Sequence, residues 1–201
     1  MIECLYDQFE YWARTGSVWV VSDTHFGDAD CPLMDPDWPD PMELVKQINK
    51  KCGRKDTLIH LGDVGDISYI PYLKAGRKVL IKGNHDGGNS LYKRKIDANY
   101  VDNRLFDEVY SGPLIVSEKL ILSHEPIFGL EEFMFNLHGH DHNGGYYPGH
   151  KNVAANAYGY KPFNLGAAIK QGMLSQIKSI HRVTIDLAAE NKKEKELNDV
   201  N

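Results

Sequence analysis

The chain has 201 residues and a formal net charge of −5. That length suits one substantial core and one domain. The mild acidity supplies no overall attraction toward nucleic acid or anionic membrane, although it is compatible with a local basic patch.

Cys4, Cys31 and Cys52 are odd in number and match no zinc or redox spacing, which favours a reducing compartment. No apolar run approaches the roughly 20 residues that cross a bilayer. Residues 1–11 carry acids rather than the basic start of a secretory signal. The expected location is the cytoplasm, with no membrane partner.

Taken in chain order, residues 17–22 form the first β-prone run, with Val18, Trp19, Val20 and Val21 consecutive, and it stops at Asp23-Thr24-His25. A helix is expected over residues 42–51, where Met42, Val45 and Ile48 recur at threes beside Pro39 and Pro41. Residues 57–61 form a second strand, ending at Gly62-Asp63. A shorter helix over residues 68–75 closes at Gly76, and a third strand at 78–81 leads into Gly83-Asn84-His85-Asp86. This β-α-β-α-β order predicts parallel strands with right-handed crossovers, which gather the polar residues beyond the strands at one edge.

After Leu105 the pattern changes. Residues 113–116 and 119–123 predict a hairpin, the second arm leading to His124, and residues 133–137 lead to His138 and to Gly139-His140-Asp141-His142. Another strand is expected at 152–158. A late helix is expected from Leu165, where Leu165, Ile169, Met173, Ile177 and Ile180 share a face that Gly166 and Gly172 interrupt. The second half thus reads as an antiparallel-rich sheet packed on the first. Residues 191–201, rich in Lys, Glu and Asn, read as a polar tail, either a solvated helix end or disordered. The domain is expected to span residues 1–190.

Taken singly, Asp-x-His or Gly-Asp after a strand is an ordinary turn, and a histidine at a strand end is ordinary too. Together, carboxylate, carboxamide and imidazole are the ligands a reactive divalent cation takes, where a structural zinc site would use thiolates. The ordered set D-x-H, G-D, G-N-H-D, H, G-H-x-H between Val20 and His142 resembles the calcineurin-like metallophosphoesterase superfamily. The stretches 22–27, 60–63 and 83–86 resemble a group of small single-domain bacterial and phage phosphoesterases, as do Asn152-Val153 and residues 158–162.

The resemblance implies an α/β (α+β) fold of the four-layer αββα kind, a two-sheet β-sandwich flanked by helices. It also implies two divalent metal ions, with Mn, Fe, Zn, Ni or Co suiting the donor set. One ion would take Asp23, His25, Asp63 and His142. The other would take Asp63, Asn84, His124 and His140, with Asp63 bridging. A metal-bridging hydroxide would attack a phosphomonoester or phosphodiester, a nucleotide or other small diester being the first expectation. His85 would be catalytic without being a ligand, and Asp86 would orient its imidazole.

Two alternatives remain open from the sequence: a nuclease of the same superfamily, with nucleic acid as a less favoured substrate, and a non-catalytic scaffold that binds a protein partner. The oligomeric state is left open. His60 and His138 read as residues behind the site, His150 and His181 as surface residues, and Asp66 as a loop acid.

The chain departs from the resemblance after Phe26-Gly27. Asp28 stands where many relatives have histidine, and the Arg-Pro pair often found soon afterwards is missing. Residues 29–41 carry Asp30, Asp35, Asp37 and Asp40 and no Lys or Arg. They form either an acidic wall of the cleft, unfavourable to a long polyanion, or a proline-stiffened surface loop. Lys93, Arg94 and Lys95 are candidate phosphate contacts, and Tyr146 and Tyr147 are candidate stacking residues.

Overall fold

The computed structural model describes residues 2–86 and 105–198. Lys93, Arg94 and Lys95 lie outside these residues. The first half runs β1 (Glu3–Cys4), α1 (Tyr6–Trp12), β2 (Val18–Val21), α2 (Cys31–Met34), α3 (Pro41–Asn49), β3 (Thr57–His60), a 3-10 turn (Ile67–Tyr72) and β4 (Arg77–Ile81). The second runs β5 (Glu108–Tyr110), β6 (Leu114–Ser117), β7 (Leu120–Leu122), β8 (Phe135–His138), β9 (His150–Asn152), β10 (Phe163–Asn164), α4 (Leu165–Lys170) and α5 (Ile180–Asn198).

These elements build two mixed five-stranded sheets flanked by helices, in the orders β10-β2-β3-β4-β5 and β1-β6-β7-β8-β9. The expected two-sheet sandwich is therefore present. β2, β3, β4 and β5 pair in parallel, and β10 closes the outer edge of β2 antiparallel.

Alternation of side chains assigns the two faces of this sheet. Val18, Val20, Ile59, Leu61, Val79 and Ile81 point to the space between the sheets, where they meet Leu114, Val116, Leu120, Leu122 and Leu137. Val21, Leu58 and Leu80 point the other way, onto Leu44, Val45 and Ile48 of α3. That helix starts where its sequence says it should: Asp40 caps it by accepting from Met42 N at 2.9 Å, and Pro41 occupies the first turn.

Four expectations need correction. Residues 68–75 do not make an α-helix. Pro71 cannot donate a backbone hydrogen bond, and the segment tightens into the 3-10 turn, with Asp66 accepting from Ser68 N. The second sheet is not antiparallel-rich, because only β6 and β7 pair that way; β1–β6, β7–β8 and β8–β9 are parallel. The segments 123–134 and 139–149 between those later strands are the length a parallel crossover needs.

The strand expected at 152–158 ends at Asn152. Beyond it Ala154 bridges to Ser22, and the chain turns through bonds from Tyr158 N to Ala154 O and from Tyr160 N to Ala155 O. The late helix breaks after Lys170 at Gly172, whose φ is +92°, and resumes as α5. Its apolar face is used all the same: Leu165 and Ile177 are buried, and Ile169 and Met173 pack against the inter-sheet core. Residues 191–197 are helical and exposed.

A polar knot ties α1 to the sheet edge. Glu108 of β5 accepts from Gln8 Nε2 at 2.9 Å, Trp12 Nε1 at 3.0 Å, Arg77 Nη1 at 2.7 Å and Tyr110 Oη at 2.8 Å. Trp12 is buried, so removing the carboxylate would leave its indole N–H without an acceptor. Glu108→Ala should therefore cost about 1–3 kcal/mol, measured by chemical denaturation, whereas an exposed control such as Glu43→Ala should cost little.

Among the described residues no helix is long and apolar enough to cross a membrane. All three cysteines are free, and burial pushes the thiols of Cys31 and Cys52 up to about 12.

Candidate metal centre

Strands β2, β3, β4, β7 and β8 release their chains at one edge of the sandwich, and each release carries polar side chains. Asp23, His25 and Asp63 have φ of 53°, 39° and 55°, and His140 has 66°. Left-handed backbone costs a non-glycine residue about 1–2 kcal/mol, and such outliers cluster where function sets the geometry. Glycines permit the close approaches between loops. A Cβ on Gly139 would lie 2.2 Å from Asp23 Oδ2, and one on Gly83 would lie 2.3 Å from Asp63 Oδ1.

The result is two adjoining groups. Asp23, His25 and His142 form one, and Asp63, His124 and His140 the other. Within each, one ligand-type atom per residue lies within 4.8 Å of the others. In the first group His142 Nε2 is 3.6 Å and His25 Nε2 4.0 Å from Asp23 Oδ1. In the second, His124 Nε2 is 3.4 Å from Asp63 Oδ2, 2.8 Å from Asn84 Oδ1 and 3.1 Å from His140 Nδ1. Asp63 faces both, its Oδ2 also lying 3.8 Å from His25 Nε2.

The polar atoms show what this arrangement lacks. Asp23 Oδ1 and His25 Nε2 are buried and have no hydrogen-bond partner, an arrangement that costs about 1–3 kcal/mol per atom unless something occupies the space between them. His124 donates from Nδ1 to Leu61 O at 2.9 Å, so the neutral ring turns a lone pair toward Asn84 Oδ1, another acceptor. In this orientation of the Asn84 carboxamide a proton or a cation must separate those two atoms. The donor set fits a divalent cation in each group, with oxygen and imidazole donors and no thiolate.

Protonation follows the same logic. Burial opposes charge on His124, but the adjoining Asp63 carboxylate overcomes it and raises the imidazole to about 9. Burial alone would raise Asp63, yet the hydrogen bond and charge of His124, with the His85 amide, hold it at about 2. Burial lowers His25, against the pull of Asp23 and Asp63.

Because the His124 value lies above the ordinary 6.5, its contribution to stability in the metal-free protein is complete below pH 6.5 and lost as pH rises through about 9. A cation at this group competes with that proton. Apparent metal affinity should therefore rise about tenfold per pH unit between pH 7 and 9. Metal titrations at several pH values, with proton release read from calorimetry in buffers of different ionisation enthalpy, check this.

Supporting contacts hold the site residues. Asn156 accepts from His142 Nδ1 at 2.9 Å and donates to the His142 carbonyl at 3.0 Å, fixing the tautomer that leaves Nε2 free of its proton. Asp86 is buried, and its carboxylate accepts from the amides of Asp63 at 2.6 Å, Val64 at 3.0 Å and Gly83 at 2.9 Å. Burial raises this carboxyl while those amides draw it down, the net direction being up. Its bonds thus brace the loop of Asp63.

His85 sits exposed at the mouth of the centre, its Nε2 3.9 Å from Asp63 Oδ2 and its amide bonded to Asp63 Oδ1 at 2.9 Å. His60 stays behind the site. Gly62 N donates to its Nδ1, so its Nε2–H faces Thr24 Oγ1 at 2.9 Å, and burial lowers it to about 3.

Three residues differ from their sequence reading or escaped it. His150 is buried rather than at the surface, under Phe128 and Tyr147 and 3.5 Å from Glu131. Trp38 lies with its ring 6.1 Å from that of His25 and 6.0 Å from that of His142. This places residues 29–41 against the centre as a wall. Asn156 had only the resemblance of its neighbours Asn152 and Val153 to signal it. Tyr146 is almost fully exposed, and Tyr147 packs edge-on to Phe128.

Comparison with known proteins agrees with this geometry. Residues 16–165 match the calcineurin-like phosphoesterase family, a class of metal-dependent hydrolases. The chain belongs to that family. It is 28% identical over 158 residues to the "Gene 66 protein" of Mycobacterium phage D29, covering 63% of this chain and 79% of the phage protein. Its fold is similar to the solved structure of a protein of unknown function, AQ665, from Aquifex aeolicus. That similarity has a TM-score of 0.57 and 22% identity, and covers 77% of this chain and 98% of the other.

Proposed function

We propose that the protein is a dinuclear metal-dependent phosphoesterase acting on a small phosphomonoester or phosphodiester. The observation that carries the reading is the Asp63 carboxylate, which faces both ligand groups beside two buried polar atoms that have no partner of their own. One cation would be held by Asp23, His25, Asp63 and His142, and a second by Asp63, Asn84, His124 and His140. Such ions supply Lewis-acid polarisation of the phosphoryl oxygens and acidify a nucleophilic water.

The chain does the rest. Asp63 faces both groups, and its charge would offset the mutual repulsion of two cations. Asn84, being neutral, limits the negative charge that would repel a phosphate. His85, exposed at the mouth, would give a proton to the departing oxygen. Asp86 positions Asp63 through the backbone rather than touching substrate.

The acidic wall of residues 29–41 favours a compact substrate over a nucleic-acid strand. The test is a panel of aryl and alkyl phosphomonoesters and diesters with Mn²⁺- or Ni²⁺-loaded protein, alongside metal stoichiometry. Near two metals per chain with turnover is expected. Absence of any hydrolysis by fully loaded protein would sink the reading.

A further inference from the structure

Beside the centre lies a cavity of about 180 Å³ that shares His25 with it. Among the described residues its apolar lining comes from Phe26, Pro32, Trp38, Pro39, Pro41 and Leu44, and its charged lining is Asp28 and Asp40, with no Lys or Arg among them. The two carboxylates already have partners within the chain. Asp40 caps α3 through Met42 N, and Asp28 accepts from Asp30 N at 3.1 Å and lies 3.7 Å from His25 Nδ1.

Trp38 is a built part of this wall. Its ring meets Tyr160 at 5.5 Å, and Tyr160, at a left-handed φ of 58°, donates its hydroxyl to Asp35 in the same segment as Trp38. The Trp38 amide in turn bonds to the Asp35 carbonyl at 3.0 Å. Residue 160 thus clasps the wall from the far end of the chain and holds the indole between itself and the imidazoles of His25 and His142.

Volume and charge select the occupant. A cavity of about 150 Å³ admits benzene, whereas pockets for larger organic ligands start near 300 Å³. Among the described lining a second phosphate would meet the Asp28 and Asp40 carboxylates and no Lys or Arg. A quaternary ammonium would need several open aromatic faces and unengaged carboxylates.

Resting on the phosphoesterase reading, we infer that this cavity is the seat of a single flat, uncharged ring on the alcohol side of the phosphoester, with Trp38 as the residue that sets that preference. The substrate class is a phosphoester carrying a compact aromatic group, not a nucleoside polyphosphate or a polynucleotide.

The test uses the metal-loaded full chain and two probes with no ester to hydrolyse, phenylphosphonate and methylphosphonate, with affinities read by calorimetry. The parent should bind the phenyl compound about tenfold more tightly, the increment expected of one aromatic contact with its buried area. Trp38→Ala should erase that ratio, and Trp38→Phe should restore much of it. Equal affinities in the parent, a ratio that survives Trp38→Ala, or tighter binding of phosphocholine than of phenylphosphonate would each overturn the inference and leave the phosphoesterase reading intact. Failure of either phosphonate to bind, together with no ester hydrolysis, would overturn both.

Discussion

Asp63→Asn should abolish phosphoester hydrolysis and leave the protein folded with at most one metal per chain. Loss of a partner behind a metal ligand costs roughly 10–100-fold in affinity or activity, and removing charge from the carboxylate that faces both groups should exceed that. The substitution is chosen for its backbone. Asp63 holds φ at 55°, a conformation asparagine tolerates better than most residues, and the amide retains an oxygen for the His85 N–H that bonds Oδ1.

The variant should also change the metal-free protein. Asp63 is a main reason His124 is raised, so the His124 imidazole should titrate lower in Asp63→Asn, visible by NMR. Full activity in this variant would reject the bridging role. Unchanged His124 titration would reject the electrostatic account even if activity were lost.

Asp86→Ala is expected to have the larger effect on stability. Three backbone amides, those of Asp63, Val64 and Gly83, converge on this one buried carboxylate. An orphaned buried donor costs about 1–3 kcal/mol, so the loss should reach several kcal/mol, a large part of the 5–15 kcal/mol that holds a typical domain together. Asp86→Asn should fall between, since one amide oxygen still accepts while its NH₂ meets a donor. Denaturant midpoints order the three proteins. An alanine variant as stable as the parent would mean that the loops of Asp63 and Gly83 are held by something else.

Local patterns carried much of this molecule. The run Val18 to Val21 and its counterparts before Asp63 and Asn84 have nearest neighbours that suffice to make them strands, and the parallel order follows from the helical segments between them. The clustering of Asp23, His25, Asp63 and Asn84 was legible for the same reason, because strand ends of a parallel sheet share an edge, whereas His124, His140 and His142 were joined to them only by the family resemblance.

Properties decided at long range were not legible. The partners of β8 and β9 are chosen by packing between sheets, which no short window records. His150 reads as a surface histidine beside Gly149 and Lys151, and Phe128, arriving from another loop, joins Tyr147 in covering it. Trp38 sits in a proline-rich stretch that reads equally well as a solvated loop until Tyr160 is seen to hold it. Local chemistry did mislead at Pro71 and Gly172, where one missing donor and one left-handed residue outweigh apolar periodicity.

The pairing of β10 with β2 matters before the molecule is complete. Val20 of the first long strand finds its outer neighbour only in Phe163. A chain emerging from the ribosome therefore carries β2 with one open edge for most of its synthesis, a template for wrong pairing. The same delay governs loading. Asp23 and His25 leave the ribosome early, but the imidazoles of His124, His140 and His142 arrive only with the second sheet. A half-made chain can offer carboxylates to a passing ion but lacks His124, His140 and His142, so any metal uptake at the two candidate groups should follow release of the latter half and report on its completion.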